Sequence, residues 1–115
     1  MYNRKWKFRV DHILQSIQNI QDYTKSMTFN AFENDRKTVD AVVRNFLIIG
    51  EAVKFIPVNV QNRYKDIPWE VMRGMRNVLV HDYDRVKEEV LWETIQLEIQ
   101  PLIPLLKKIL DETDD

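Results

Sequence analysis

Apolar residues return at three- and four-residue steps through most of this chain, and no stretch of useful length alternates apolar and polar side chains as a half-buried strand would. That period commits the chain to helices. Val10, Ile13, Leu14, Ile17 and Ile20 form one stripe on a long first helix that ends near Met27, with His12 off the stripe. Thr28 is suited to cap a short turn through Phe32. From about Asp35 a second long helix carries Val39, Val42, Val43, Phe46, Gly50 and Val53, and Pro57, lacking an amide hydrogen, ends it. Beyond a polar stretch from Asn59 to Tyr64, Asp66 offers a cap and Pro68 a first-turn residue for a third helix. Val71, Met72, Met75, Val78 and Leu79 are its apolar positions, and the run DYDR breaks it after the neighbourhood of Val80. A last helix from about Val86 to Leu110 buries Val90, Leu91, Ile95, Ile99, Leu102, Leu106 and Ile109, bent or interrupted by Pro101 and Pro104.

The economical architecture is all-α: an antiparallel bundle of about four main helices plus short helical turns, in one domain spanning residues 1–115. Its acidic end, about 111–115, reads as a frayed tail. At 115 residues such a domain buries roughly two-thirds of the surface its unfolded chain exposes. Gly50 and Gly74 both fall inside helical patterns, where glycine costs roughly 1 kcal/mol relative to alanine. Close backbone approach is expected at both.

Composition excludes several classes of function. With no cysteine there is neither a disulfide framework nor a thiolate metal site. His12 has no second histidine or carboxylate cluster at ligand spacing, so no metal and no cofactor are expected, and His12 reads as a surface residue. Seventeen Lys and Arg against eighteen Asp and Glu give a net charge of −1, which argues against coating nucleic acid by bulk electrostatics. Any RNA contact must be local. The start, MYNRKWKFRVDHIL, is charged throughout and does not read as a secretory signal, and no segment has the length and apolarity of a membrane span. A cytoplasmic protein without membrane contact is the expectation.

Chemistry concentrates in the run RNVLVHDY. Arg76 offers a planar fork of donors suited to phosphate oxygens, His81 can exchange a proton near neutral pH, and Tyr83 follows two residues later. Together they point to a phosphodiester. On an unbroken helix, residues five apart point about 140° away from each other, so Arg76 and His81 converge only if the helix loosens near Leu79 or Val80. Arg73, one turn before Asn77, is placed for a phosphate contact or a pair with Glu70. Arg44 and Glu51, seven apart, lie along one side of the second helix, with Asp40 at ion-pair spacing from Arg44.

The run MRNVLVHDYDRV resembles the Arg-x-x-x-x-His-x-Tyr signature of the HepT-like toxins, a branch of the HEPN superfamily of small helical ribonucleases, and VVRNFLIIGEAVKFIP resembles a helix typical of that branch. The similarity extends from the first helix to about Leu110. What it implies is a HEPN-like bundle acting as a metal-independent endoribonuclease on messenger or transfer RNA. The active form implied is a homodimer whose two motif segments face one another. Cleavage by the 2′-hydroxyl of RNA needs a proton acceptor, a proton donor and positive charge at the phosphate, and two chains supply His81 and Arg76 twice.

Within the resemblance Arg76 binds phosphate and stabilises transition-state charge, His81 transfers protons, and Asn77 bonds substrate or holds the motif. Arg44 and Glu51 belong to the helix motif and are expected to line the cleft. Tyr83 matches the tyrosine that an MntA-type nucleotidyltransferase antitoxin modifies by AMPylation, with Asp82 and Asp84 flanking it. A nucleotide there adds negative charge and bulk where RNA must bind, which silences the nuclease. The competing reading is a non-catalytic helical partner of the nucleotidyltransferase.

Overall fold

A computed structural model describes residues 5–112, and among them the chain is helical with no strand. Helix α1 (Lys5–Thr24) buries Val10, Ile13, Ile17 and Ile20, the stripe expected from their spacing, while Leu14 is half-buried. It stops three residues before the expected end. The Thr24 hydroxyl donates to the Ile20 carbonyl at 2.8 Å, and Ser26, at φ 69°, turns the chain in the left-handed region that L-residues seldom adopt.

Helix α2 (Phe29–Glu33) is a single turn capped by Thr28, whose hydroxyl oxygen accepts from the Ala31 amide at 3.1 Å. Helix α3 (Arg36–Val53) is capped by Asp35, which accepts from the amide and the hydroxyl of Thr38 at 3.1 and 2.8 Å. Those donations hold the Asp35 carboxyl below the ordinary carboxylate range, the Thr38 side chain contributing most. The polar stretch is helical over most of its length: α4 (Val58–Arg63) follows Pro57 and buries only Val60, too little to mark it in an apolar pattern.

Helix α5 (Trp69–Asp82) begins after Pro68, not under an Asp66 cap. The buried indole of Trp69 fixes the entry by donating to the Tyr64 carbonyl at 3.1 Å. The helix continues past Leu79 and Val80 without loosening, and DYDR breaks it only at a 3₁₀ turn, Tyr83–Arg85. Helix α6 (Glu88–Glu93) widens into a π turn, Thr94–Glu98, closed by the Ile99 amide on the Thr94 carbonyl at 3.2 Å. Pro101, with no amide hydrogen, marks the interruption. Pro104 lies in the first turn of α7 (Leu102–Glu112), where a missing N–H costs nothing because first-turn amides have no intrahelical acceptor. Asp111 and Glu112, expected to fray, complete α7, and 113–115 lie outside the described residues.

Helix α3 is central, packed against α1 on one side and α5 on the other, with α7 closing on α1. Phe32, Val42, Phe46 and Val53 fill the space around it. The one buried amide in this layer, Asn45, is satisfied: it donates to the Ala41 carbonyl and accepts from Asn19, at 2.9 and 3.2 Å. Val90, expected to be buried, is 49% exposed, and two of the apolar positions of α5, Val71 and Val78, are 68% and 48% exposed. No helix among the described residues is long and apolar enough to cross a membrane.

Candidate active site on helix α5

Two faces of α5 carry the chemistry-bearing residues. One face buries Met72 and Leu79, and Arg76 lies between them in sequence, directed at α3. Opposite Arg76 stands Gly50, where an added Cβ would sit 2.2 Å from the Arg76 Cβ and 3.1 Å from the Met72 carbonyl oxygen. The absent side chain lets α5 lie against α3 at this point. Just beyond, Glu51 Oε2 pairs with Arg76 Nη2 at 2.7 Å, and Arg76 Nη1 donates to Asn77 Oδ1 at 3.2 Å. Arg76 Nε is buried without an acceptor. The guanidinium is therefore aimed by α3 from beneath while its rim stays open, with the side chain 27% exposed.

Asn77, on the turn that carries Arg76, is exposed and accepts from its guanidinium. Glu51 joins the site by holding Arg76, and Arg44 is exposed on the same helix. Asp40 pairs with Arg36 at 3.0 Å rather than with Arg44, because Arg36 and Asp40 also have the same i,i+4 spacing and share a third partner, described below. Arg73 turns to α4, donating to Gln61 Oε1 at 3.2 Å, and makes no ion pair with Glu70. Gly74 meets nothing within 4 Å, so the close approach expected there does not occur within the chain.

His81 is on the other face. With α5 unbroken to Asp82, Arg76 and His81 keep their separation of about 140° and do not converge within one chain. The imidazole is exposed, on a stripe with Val71, Gly74 and Val78 that no other element covers. Beside that stripe an apolar groove of about 310 Å³ runs between α5 and the α6 region, lined by Val71, Met75, Val90 and Leu97 among others. His12 is exposed on α1 with its ring against Phe8. Among the described residues no group of three or more His, Asp or Glu is arranged to hold a metal ion.

Tyr83 returns to α3 one helical stretch below Arg76. Its hydroxyl donates to Asp40 Oδ1 in a short hydrogen bond and accepts from Arg36 Nη2 at 2.7 Å, and Arg36 also pairs with Glu88 of α6 at 3.6 Å. Asp40, as acceptor, pushes the phenol above its ordinary pKa; the same bond, with help from Arg36, holds the Asp40 carboxyl below the usual carboxylate range. Residue patterning had marked Tyr83 but not its partners. Arg36 and Asp40 look like any exposed i,i+4 pair until the bundle brings the 3₁₀ turn to them.

A family model described as Ribonuclease HepT-like matches residues 13–109. A Thermococcus cleftensis protein named "Probable ribonuclease HepT" is 37% identical over 106 residues, covering 92% of this chain and 96% of that protein. A Caldanaerobacter subterraneus protein, provisionally named as an RNase, is 37% identical over 103 residues, 90% of this chain and 92% of its own. A Methanocaldococcus jannaschii protein, named as a gamma-glutamylcyclotransferase with a provisional RNase assignment, is 37% identical over 108 residues; the chain covers 49% of its length. No solved structure gives a significant match. By the family match across residues 13–109 and by relatives that align over nine-tenths of it, the chain belongs to the HepT-like ribonuclease family.

Proposed function

We propose that this protein is the toxin of a type VII-like toxin–antitoxin pair, a metal-independent endoribonuclease that cuts messenger or transfer RNA at a site composed by two chains. The observation that carries the reading is the division of α5 into two faces: Arg76, aimed by Glu51, on one, and His81, exposed and uncommitted, on the other. One chain cannot bring both to a single phosphate. A second copy can.

The stripe Val71–Gly74–Val78–His81 favours a second α5 as its occupant. It is apolar at two positions, has no Cβ at Gly74, and leads directly to His81. Two α5 helices crossing there bring their His81 residues toward one another. The reaction then uses one His81 to take the proton from the ribose 2′-hydroxyl and the other to protonate the departing 5′-oxygen. The attacking 2′-oxygen bonds to phosphorus as the phosphorus–5′-oxygen bond breaks, leaving a cyclic phosphate. Arg76 from each chain offsets charge on the crowded phosphate, and Asn77 keeps each guanidinium in plane for that contact. Arg44 and Arg73 flank the path of the RNA backbone as additional phosphate contacts, Arg73 by leaving Gln61.

An MntA-type nucleotidyltransferase is the antitoxin. It silences the nuclease by AMPylation of Tyr83, two residues from His81, adding charge and bulk beside the site.

Incubation of purified protein with transfer and messenger RNA in the presence of a chelator, with fragment ends mapped, tests the activity. Cleavage that falls by about 10²- to 10⁴-fold in His81→Ala is expected for a proton-transfer residue. Equal cleavage by both proteins overturns the role of His81, and intact RNA with wild-type protein favours the non-catalytic binding partner instead.

A further inference from the structure

The Tyr83 hydroxyl is exposed yet has two charged partners. It is bonded at once to a carboxylate and a guanidinium that come from a different helix, 43 and 47 residues away in sequence. A regulatory tyrosine needs only exposure to be modified; it does not need these partners. Their arrangement is that of a hydroxyl prepared for group transfer. The Oη hydroxyl donates to Asp40 Oδ1, and Arg36 Nη2 donates both to Oη and to that same carboxylate oxygen, closing a three-membered cluster in which Arg36 is also held by Glu88.

We infer that Asp40 is the general base that activates Tyr83 for nucleotide transfer, and that Arg36 is the cation that holds the phosphoryl group at Oη. This deepens, and rests on, the reading of Tyr83 as the AMPylation site. The step balances as follows. Tyr83 Oη attacks the α-phosphorus of ATP, the Oη–P bond forms as the bond from that phosphorus to the pyrophosphate oxygen breaks, the phenol proton passes to Asp40, and pyrophosphate leaves. The nucleotidyltransferase supplies ATP and its own phosphate-binding groups.

Several features support the assignment. A carboxylate accepting the proton of an attacking hydroxyl is the arrangement used for phosphoryl transfer to hydroxyl side chains. Asp40, held below the ordinary carboxylate range by the Tyr83 bond and by Arg36, is ionised at neutral pH, the form that can accept a proton. Beside the hydroxyl lies a groove of about 440 Å³, within the range of small-ligand sites, whose lining has three cations, Arg36, Arg85 and Lys87, against two carboxylates, Asp84 and Glu88, over apolar side chains such as Val39 and Leu91. Cations for a phosphate and an apolar floor for a base or sugar are what a transferred nucleotide requires. Once Oη is esterified it is a poor acceptor, so Arg36 is released to pair with the new phosphodiester beside it.

The test is the rate of AMP transfer to the full-length protein by an MntA-type nucleotidyltransferase with α-labelled ATP, followed by peptide mapping. Wild type is expected to be labelled on Tyr83, and Tyr83→Phe to remain unlabelled. Asp40→Asn, which keeps the shape and can still accept a hydrogen bond, is expected to lower kcat at least about 100-fold while the KM for ATP moves less than about threefold, with Asp40→Glu restoring part of the loss. Arg36→Gln is expected to slow labelling at least about tenfold. Circular dichroism melts confirm that each variant is folded, and RNA cleavage by Asp40→Asn reports an intact dimer. If wild type is not labelled on Tyr83, the AMPylation reading itself falls. If wild type is labelled and Asp40→Asn is labelled equally fast, the base assignment is overturned while that reading stands.

Discussion

Two glycines on neighbouring helices look alike in sequence and do opposite things in the fold. Gly50 is buried against Arg76, and Gly74 faces open space. Gly50→Ala must push α3 and α5 apart, because the new methyl meets a Cβ at 2.2 Å and a backbone carbonyl at 3.1 Å, neither of which is the free end of a side chain. Overpacking of about 1–3 kcal/mol exceeds the gain of roughly 1 kcal/mol in helix propensity, so a net loss of stability is expected in urea titrations. Arg76 moves with the helix, and RNA cleavage falls with it. Gly74→Ala at low protein concentration has the opposite sign, a gain of up to about 1 kcal/mol, since no atom of the chain obstructs it. At concentrations where dimer forms, the same substitution weakens association if two α5 helices cross there. The buried, unpartnered Arg76 Nε belongs at this scale too: an orphan donor of that kind costs about 1–3 kcal/mol, a cost borne at the residue proposed to contact phosphate.

At the scale of the element, α5 decides how the motif works. Because it stays helical to Asp82, its residues divide between a buried face toward α3 and an exposed stripe ending at His81. Two of its apolar positions, Val71 and Val78, stand on that stripe at 68% and 48% exposure. Replacing both with Lys is expected to leave the monomer's unfolding free energy within about 0.5 kcal/mol, as for ordinary surface changes, yet to convert dimer to monomer in sedimentation and abolish RNA cleavage. A monomer that retains full cleavage rejects the two-chain site. The same element explains why Tyr83 is held so differently from His81. The 3₁₀ turn following α5 carries the tyrosine back to the N-terminal half of α3, where Arg36 and Asp40 wait one turn apart.

Over the whole molecule, α3 ties the bundle to the site. It carries core residues on one face and Arg36, Asp40, Gly50 and Glu51 along the line that meets α5 and the 3₁₀ turn. Two carboxylates on or beside it, Asp35 and Asp40, have folded pKa values below their ordinary ones. A depressed folded pKa means the unfolded chain binds the proton more readily. The stability from each is complete above the unfolded carboxylate value, near 4, and is lost as pH falls through the lower folded value. Denaturation midpoints are therefore expected to decline as pH is taken from about 5 to about 2, with a shallower decline in Asp35→Asn. An unchanged slope in that variant rejects the cap as a source of the acid sensitivity.

Much of this organisation is legible in the amino-acid sequence. The apolar stripes of α1 and α3 each repeat over several turns, so they identify helix, buried face and approximate ends by period alone, whereas the period read as one helix from about Val86 to Leu110 is divided into α6, a π turn and α7. The motif Arg76–His81–Tyr83 was legible as chemistry and, through its resemblance, as a family signature. Helix α4 escaped notice because one buried valine makes no period, and Val90 misled because apolar spacing does not say whether a partner face exists. What the chain's sequence determined by itself was therefore local: helical type, the cap at Thr28, and the identity of the candidate site residues. Only the tertiary structure decided that Gly50 admits Arg76, that Glu51 aims it, and that Arg36 and Asp40 bind Tyr83. The physical reason is distance along the chain. These pairs lie 25 to 47 residues apart, and no propensity or period reaches that far; their meeting depends on how α3, α5 and the 3₁₀ turn pack, which is set by the core as a whole.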